Sequence, residues 1–321
     1  MKTELRPEMK KRIAACYRQV TMNAFVLSVL VFSFVRPGPV SAQVHEFTRE
    51  QMEIFTALNP YGRFPDGRPM IPDAVIDSVR NLKIQTIEAL EALAMHKYNN
   101  SQFDGGWQSL IPGEKIVGRA FTVQFMPPRP DLQEGIRNMA KKNNTMPVSK
   151  SATIDMLQKN DLAVIDLYGK VEGGLPYVGD KLAYYIWKTT GTGFIVDGGI
   201  YFLETMAQSG IQAFYRGGSP LTNTGSAIVT GVNIPVRIGD AVVMPGDLVI
   251  GDEDGIVAVP PHLVSKVIKT TIMNRRRDVW IKKAFDLGRY KSSEIYGRMQ
   301  EPLQTQFNKY RETGDPQYLP K

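Results

Sequence analysis

Two short stretches carry residue types that could do chemistry. The first is Gly179-Asp180-Lys181-Leu182, where a glycine and a carboxylate stand at the head of a helical pattern, KLAYYIWKTTG. The first turn of a helix leaves backbone N–H groups unpaired, and such groups bind anions. Two readings of Asp180 stand side by side. It either caps those N–H groups itself, or it holds a cation-bound water while the N–H groups of Gly179 to Leu182 cradle an acid substrate. Lys181 reads as a solvated first-turn lysine, with a Schiff-base amine as the functional alternative. The second stretch is FIVDGGIYFLE, from Phe194 to Glu204. An apolar strand runs into an Asp197-Gly198-Gly199 turn, and then Tyr201 and Phe202 come before any further charge.

Other chemistry finds little support. The histidines His45, His96 and His262 lie far apart in sequence, which argues against a His-rich zinc site. No Gly-x-Ser-x-Gly elbow or phosphate-binding Walker loop occurs. VEGGLPYVGD lacks the spacing of a dinucleotide fingerprint. Asp252-Glu253-Asp254-Gly255 lacks the EF-hand ligand pattern and reads as a tight hairpin turn. Arg275-Arg276-Arg277 reads as a solvated helix face.

The elements that must position these residues follow from periodicity. Residues 43 to 70 are dense in Pro and Gly and read as irregular. Apolar spacing from Pro72 to His96 suits one or two amphipathic helices, and Asp131–Asn143 and Lys150–Lys159 read as further helices. Strands are expected at 115–126, 161–169, 192–197 and 211–216, with a helix over 200–210. After Arg216, short β-branched runs cut by Gly-Asp, Pro-Gly-Asp and Asp-Gly turns predict a meander of strands. From His262 onward the pattern is helical. The expected organisation is an α/β protein with a signal segment at 1–42, an irregular and helical segment at 43–110, a core at 111–262 and a helical extension at 263–321.

The chain has 321 residues and a formal net charge of +7. Five of those charges are excess Lys and Arg before residue 44, which leaves +2 for the rest and no basic face for nucleic acid. The basic stretch Lys10-Lys11-Arg12 and Arg18 precedes an apolar run at 23–35 that is too short for a membrane span. Val40-Ser41-Ala42 follows, with small residues at the positions a signal peptidase reads. The pattern predicts cleavage after Ala42 and export to the periplasm or medium, without a membrane anchor. Cys16, the single cysteine, would be lost with the leader, leaving no disulfide or thiolate site.

Three stretches together resemble one family: VGDKLAYYIWKTTGTGFIVDGG, IQAFYRG, and IPVRIGDAVVMPGDLVIGDEDGIVAVP. They are similar to the RraA-like proteins, which include 4-hydroxy-4-methyl-2-oxoglutarate aldolases and regulators of ribonuclease E. The likeness runs from about Gly118 to Pro260, and LGRYKSSEIYG at 287–297 resembles a C-terminal segment of aldolase-type members. It implies a compact layered β/β/α domain, assembled as a homotrimer or homohexamer with active sites between subunits. In the aldolases a Gly-Asp pair opens the pyruvyl-binding helix. An Arg-Asp pair after the Asp-Gly turn grips the substrate carboxylate and holds magnesium or manganese.

On this chain Gly179 and Asp180 match the first pair and Asp197-Gly198 match the turn. Tyr201 occupies the arginine position and Phe202 the metal-aspartate position. Tyrosine has no guanidinium fork and phenylalanine binds no metal. Glu172, Glu204 and Arg216 are the candidate substitutes, although helical spacing turns Glu204 away from position 202. The resemblance implies a carbon–carbon lyase for a small 2-keto acid with a remodelled site. In it Asp180 would be the acid/base or water-holding group, Gly179, Lys181 and Leu182 would complete the cradle, and Tyr201 would be a hydrogen-bond donor. The alternative is a non-catalytic oligomeric binding or regulatory protein. A third reading takes Tyr177, Tyr184, Tyr185, Trp187, Tyr201 and Phe202 as sugar-stacking rings on an enzyme for a carbohydrate, against the core role usual for helix-face aromatics.

Overall fold

The protein is described here from a computed structural model covering residues 46–143, 147–171, 177–220, 227–297 and 299–321. The expected leader at 1–42 and Glu172 lie outside these residues.

The stretch read as irregular opens with a helix. Thr48 and Gln51 form a reciprocal capping box that starts α1 (Arg49–Phe55), a signal present in the sequence but overlooked among the Pro-Gly turns. A short hairpin, β1 (Gly62–Arg63) and β2 (Pro69–Met70), leads to two amphipathic helices, α2 (Asp73–Asn81) and α3 (Thr86–Ala94). Then come β3 (Gln108–Ser109), β4 (Ile116–Met126), α4 (Pro130–Lys142), α5 (Lys150–Asp155), β5 (Asp161–Lys170), α6 (Asp180–Thr190), β6 (Phe194–Ile200), α7 (Leu203–Gln208) and β7 (Ala213–Gly218). The C-terminal half adds β8 (Ile228–Val232), β9 (Val236–Ile238), β10 (Ala241–Val243), β11 (Leu248–Asp252), β12 (Gly255–Val259), α8 (Val264–Asp286), α9 (Ser292–Tyr296) and α10 (Leu303–Thr313).

Eight strands form one mixed sheet in the order β12-β11-β4-β5-β6-β7-β3, with β8 also on β4. The central strands β4, β5, β6 and β7 are parallel, as helical crossovers require. Strand β5 carries the continuous apolar run Leu162–Ile165 and β6 the run Phe194–Val196, because both faces are covered there. On one face Phe121, Ile165, Phe194, Val196 and Ala213 meet the crossover helices through Ile154, Ile186 and Met206. On the other, Val164, Ile195 and Phe214 meet the β9–β10 hairpin through Val236, Ile238 and Val243. The expected α/β class is the one observed.

Three expectations need correction. The segment after Arg216 is not a continuous meander. β11 pairs with the first half of β4 and β8 with its second half along the same edge, while β9 and β10 form a separate hairpin. The expected helix over 200–210 begins only at Leu203, because β6 runs through the glycines to Ile200. Asp197-Gly198-Gly199 is thus the end of a strand and not a turn. Gly198 is needed there for contact, since a Cβ would lie 2.7 Å from the Leu167 side chain. Finally, Arg275 is not on a solvated face. It grips Glu88 through Nε and NH2 at 2.6 and 2.7 Å and donates to the Leu82 carbonyl, tying α8 to α3.

Asp252, considered for calcium, accepts from the Thr86 N–H and hydroxyl and from Lys115 instead. It and Gly255 close the β11–β12 turn. At the N-terminal end of β5, fully buried Asp161 receives both terminal nitrogens of buried Arg68, at 3.0 and 2.9 Å. Arg119 and the Gln158 N–H complete its shell.

Candidate functional site

Strand β6 delivers the chain to Tyr201 and Phe202 beside the head of α6. Phe202 is the N-cap residue of α7 and has left-handed backbone angles, φ 60° and ψ 39°. That conformation is costly for a residue with a Cβ. It turns the Phe202 ring toward Tyr201, with centroids 5.0 Å apart. Both rings lie against Gly179, the N-cap of α6. A Cβ on Gly179 would lie 2.8 Å from Cζ of Tyr201 and 3.1 Å from Phe202, so only glycine fits beneath them. The cradle residues and the two aromatics therefore do come together, with the aromatics standing over the helix head.

Asp180 is the first residue of α6, directly after the N-cap Gly179, which has no side chain to cap the helix. Its nearest cation is Lys181 Nζ at 3.6 Å, and that lysine side chain is 90% exposed, as the solvated reading expects. Leu182 packs at the rim of the core that holds the crossover helices. Glu204 points into solvent and accepts from Gln208, while Arg216 lies on the opposite face of the sheet in ion pairs with Asp197 and Asp104. Neither replaces the missing pair at 201 and 202.

A divalent cation does not fit these residues. Phe202 offers no donor atom, Tyr201 offers a single phenol oxygen, and Asp180 is a single carboxylate. Among the described residues no group of three or more His, Cys, Asp or Glu could hold a metal ion. His96 and His262 do approach each other, and burial, Lys266 and His96 hold the His262 imidazole below its usual range. His262 Nε2 is 3.2 Å from the Tyr98 hydroxyl, away from the helix head.

The aromatics considered for sugar stacking divide. Tyr177 is buried in the core, edge-on to Phe125, and Trp187 is half-buried. Tyr184, Tyr185 and Phe202 are about half exposed.

The sequence reasoning missed a second polar group, at the carboxyl ends of the parallel strands on the other sheet face. Asp166 of β5 pairs in register with Asp197 of β6, and Arg216 follows on β7. Alternation makes this placement legible. Val164, Ile195 and Phe214 face the β9–β10 hairpin, so the residues two further on face the same way.

Comparison with known proteins places the chain. The family model described as RraA-like, Aldolase/RraA, matches residues 74–258. Protein DlpA of Legionella pneumophila is 24% identical over 215 residues, which is 66% of this chain but 33% of DlpA. The chain thus spans about a third of that relative. A provisionally named 4-hydroxy-4-methyl-2-oxoglutarate aldolase of Halalkalibacterium halodurans is 25% identical over 156 residues, 43% of this chain and 74% of that protein. Among solved structures, Streptomyces coelicolor RraAS2, described as an unusual member of the RNase ES inhibitor RraA protein family, superposes with a TM-score of 0.56. It is 24% identical, covering 70% of this chain and 99% of RraAS2, which speaks to the fold. With the family match extending over most of the sheet and its crossover helices, this chain belongs to the RraA-like family.

Proposed function

We propose that this protein is an RraA-like binding or regulatory protein in which the metal-dependent carbon–carbon cleavage of the family's aldolases has been lost. The observation that carries the reading is the Tyr201–Phe202 ring pair packed onto Gly179. In the aldolases a carboxylate clamp and a metal ligand stand at those two positions. Here the same space holds two apolar faces, and of the candidate substitutes among the described residues neither Glu204 nor Arg216 reaches it. The RraA-like family is typically oligomeric, and half-exposed Phe202, Tyr184 and Tyr185 suit burial between subunits of a homotrimer or homohexamer.

The test is an assay with magnesium or manganese for pyruvate release from 4-hydroxy-4-methyl-2-oxoglutarate and for oxaloacetate decarboxylation. No turnover above background is expected, and calorimetry should detect no metal binding. The converse variant Tyr201→Arg/Phe202→Asp should acquire manganese affinity if the fold still presents the family's positions. Metal-dependent turnover by the unmodified protein would overturn the proposal.

One observation favours a second reading, a metal-independent lyase for a small 2-keto acid. The Asp180 carboxylate is partly exposed at the head of α6, next to the Gly179 on which the Tyr201 ring packs, and is open to proton transfer there. Turnover without metal that Asp180→Asn abolishes would establish it.

We also infer from the basic, apolar and small-residue order of residues 10–42 that the protein acts outside the cytoplasm. Mass spectrometry of the native protein should find a chain beginning at Gln43; one beginning before residue 40 refutes export by cleavage.

A further inference from the structure

The polar group on the far face of the sheet lines a cleft of about 550 Å³. Asp104, Asp166, Tyr168, Asp197, Arg216 and Arg237 form its walls. It opens where β5, β6 and β7 end, the place where ligands bind in sheets with parallel strands.

Arg216 does not face a ligand with unused donors. Its Nε donates to Asp197 at 2.6 Å, NH2 donates to Asp104 at 2.5 Å, and NH1 donates to the Gly105 carbonyl. The guanidinium also lies 4.0 Å above the Trp107 ring. It therefore acts as a brace that fixes Asp104 and Asp197 on either side of itself. Among the described residues, Arg237 on the hairpin across the cleft donates only from Nε, to the Gly239 carbonyl at 2.6 Å. Its terminal nitrogens remain for a ligand, and the side chain is exposed.

Asp166 and Asp197 are direct cross-strand partners, so two carboxylates face one cleft from adjacent strands. Asp166 accepts the Tyr168 N–H at 3.0 Å. Burial, together with the Asp197 charge, pushes the Asp166 carboxyl up. The cleft thus sets the Asp166–Asp197 carboxylate pair on one wall against the exposed Arg237 guanidinium on the other. A metal ion is poorly suited to fill it, because Arg216 already stands between Asp104 and Asp197.

We infer that this cleft binds a small zwitterion such as an α-amino acid, its ammonium on Asp166 and Asp197 and its acid group on Arg237. Carboxylates match the three N–H donors of an ammonium, and the guanidinium fork matches a carboxylate in two parallel bonds. Both ends of such a ligand find an opposite charge on different strands, and the cleft has room for a side chain. The inference is independent of the reading of Tyr201 and Phe202, which lie on the other side of the sheet.

The experiment is a thermal-shift screen of the full set of standard L-amino acids at pH 7.5, followed by calorimetry on each hit. Acetate, methylamine and glucose serve as single-group and polyol comparators. At least one amino acid should raise the melting temperature where acetate and methylamine do not. Asp166→Asn and Arg237→Gln, on different strands, should each weaken that binding about thirtyfold or more. Asp180→Asn, at the other site, should leave it unchanged. Equal circular dichroism and unliganded melting temperatures verify that the variants fold. No response to any amino acid, a response to glucose alone, or binding that survives both cleft variants overturns the inference.

Discussion

Asp247 offers a prediction whose size can be worked out from its surroundings. It lies in the Pro245-Gly246-Asp247 turn that feeds β11, held by Gly246 N–H on the Ala120 carbonyl and Ala120 N–H on its own carbonyl. Its carboxylate is buried and accepts one bond, from the Met244 N–H at 2.9 Å. Burial outweighs that bond and pushes the carboxyl from its ordinary 3.8 up to about 7. A folded-state value above the unfolded one means that the fold prefers the protonated acid. Stability is then fullest below pH 4 and declines as pH rises toward 7, after which the penalty is constant. About three units at 1.36 kcal/mol each give a penalty of about 4 kcal/mol at pH 8. Asp247→Asn keeps an oxygen for the Met244 N–H and cannot ionise. It should match the parent near pH 4 and exceed it by up to about 4 kcal/mol at pH 8. Urea unfolding of both proteins at these two pH values, with unchanged m, is the assay. A parent and variant whose stabilities differ by the same amount at both pH values would refute the reasoning.

Three further outcomes are expected. Asp161→Asn removes the close counter-charge of the buried Arg68 guanidinium, leaving only Asp66 at 3.9 Å, and should cost about 3–5 kcal/mol, read from the urea midpoint. Gly179→Ala forces the Tyr201 ring away and should cost about 1–3 kcal/mol, a loss that Gly179→Ala/Tyr201→Ala largely recovers; equal losses in both variants would show that the rings do not press on this residue. Trp280→Phe removes the indole N–H that reaches the Tyr318 carbonyl at 2.9 Å and should cost about 1–3 kcal/mol, with earlier proteolysis of the C-terminal residues as the accompanying sign.

Much of the scaffold was legible in the sequence because both kinds of signal were strong. The βα alternation through 115–216 and the Gly-Asp turns of the second half fix the class, and the Tyr201 and Phe202 departures were readable through the resemblance to the RraA-like aldolases. The sequence did not reveal that β4 shares one edge between β8 and β11, since strand partnership across long separations leaves no local pattern. Arg275 was misjudged because its partner Glu88 is brought in by tertiary packing. Asp166 looked like an ordinary residue at the end of a strand. Only the register with β6 sets it against Asp197.

The shared edge of β4 also sets an order on the folding of the chain. Residues Ile116–Arg119 find their antiparallel neighbour only in Leu248–Gly251, so the central strand stays open along that side until most of the polypeptide has been made. Contacts between such distant segments form slowly, because loop closure comes before the reward of pairing. A growing chain therefore cannot seal its sheet early. Until β11 arrives, the backbone groups of Ile116–Arg119 stand unpaired along one side of a central strand, and that interval is when a second unfinished chain competes for the same edge.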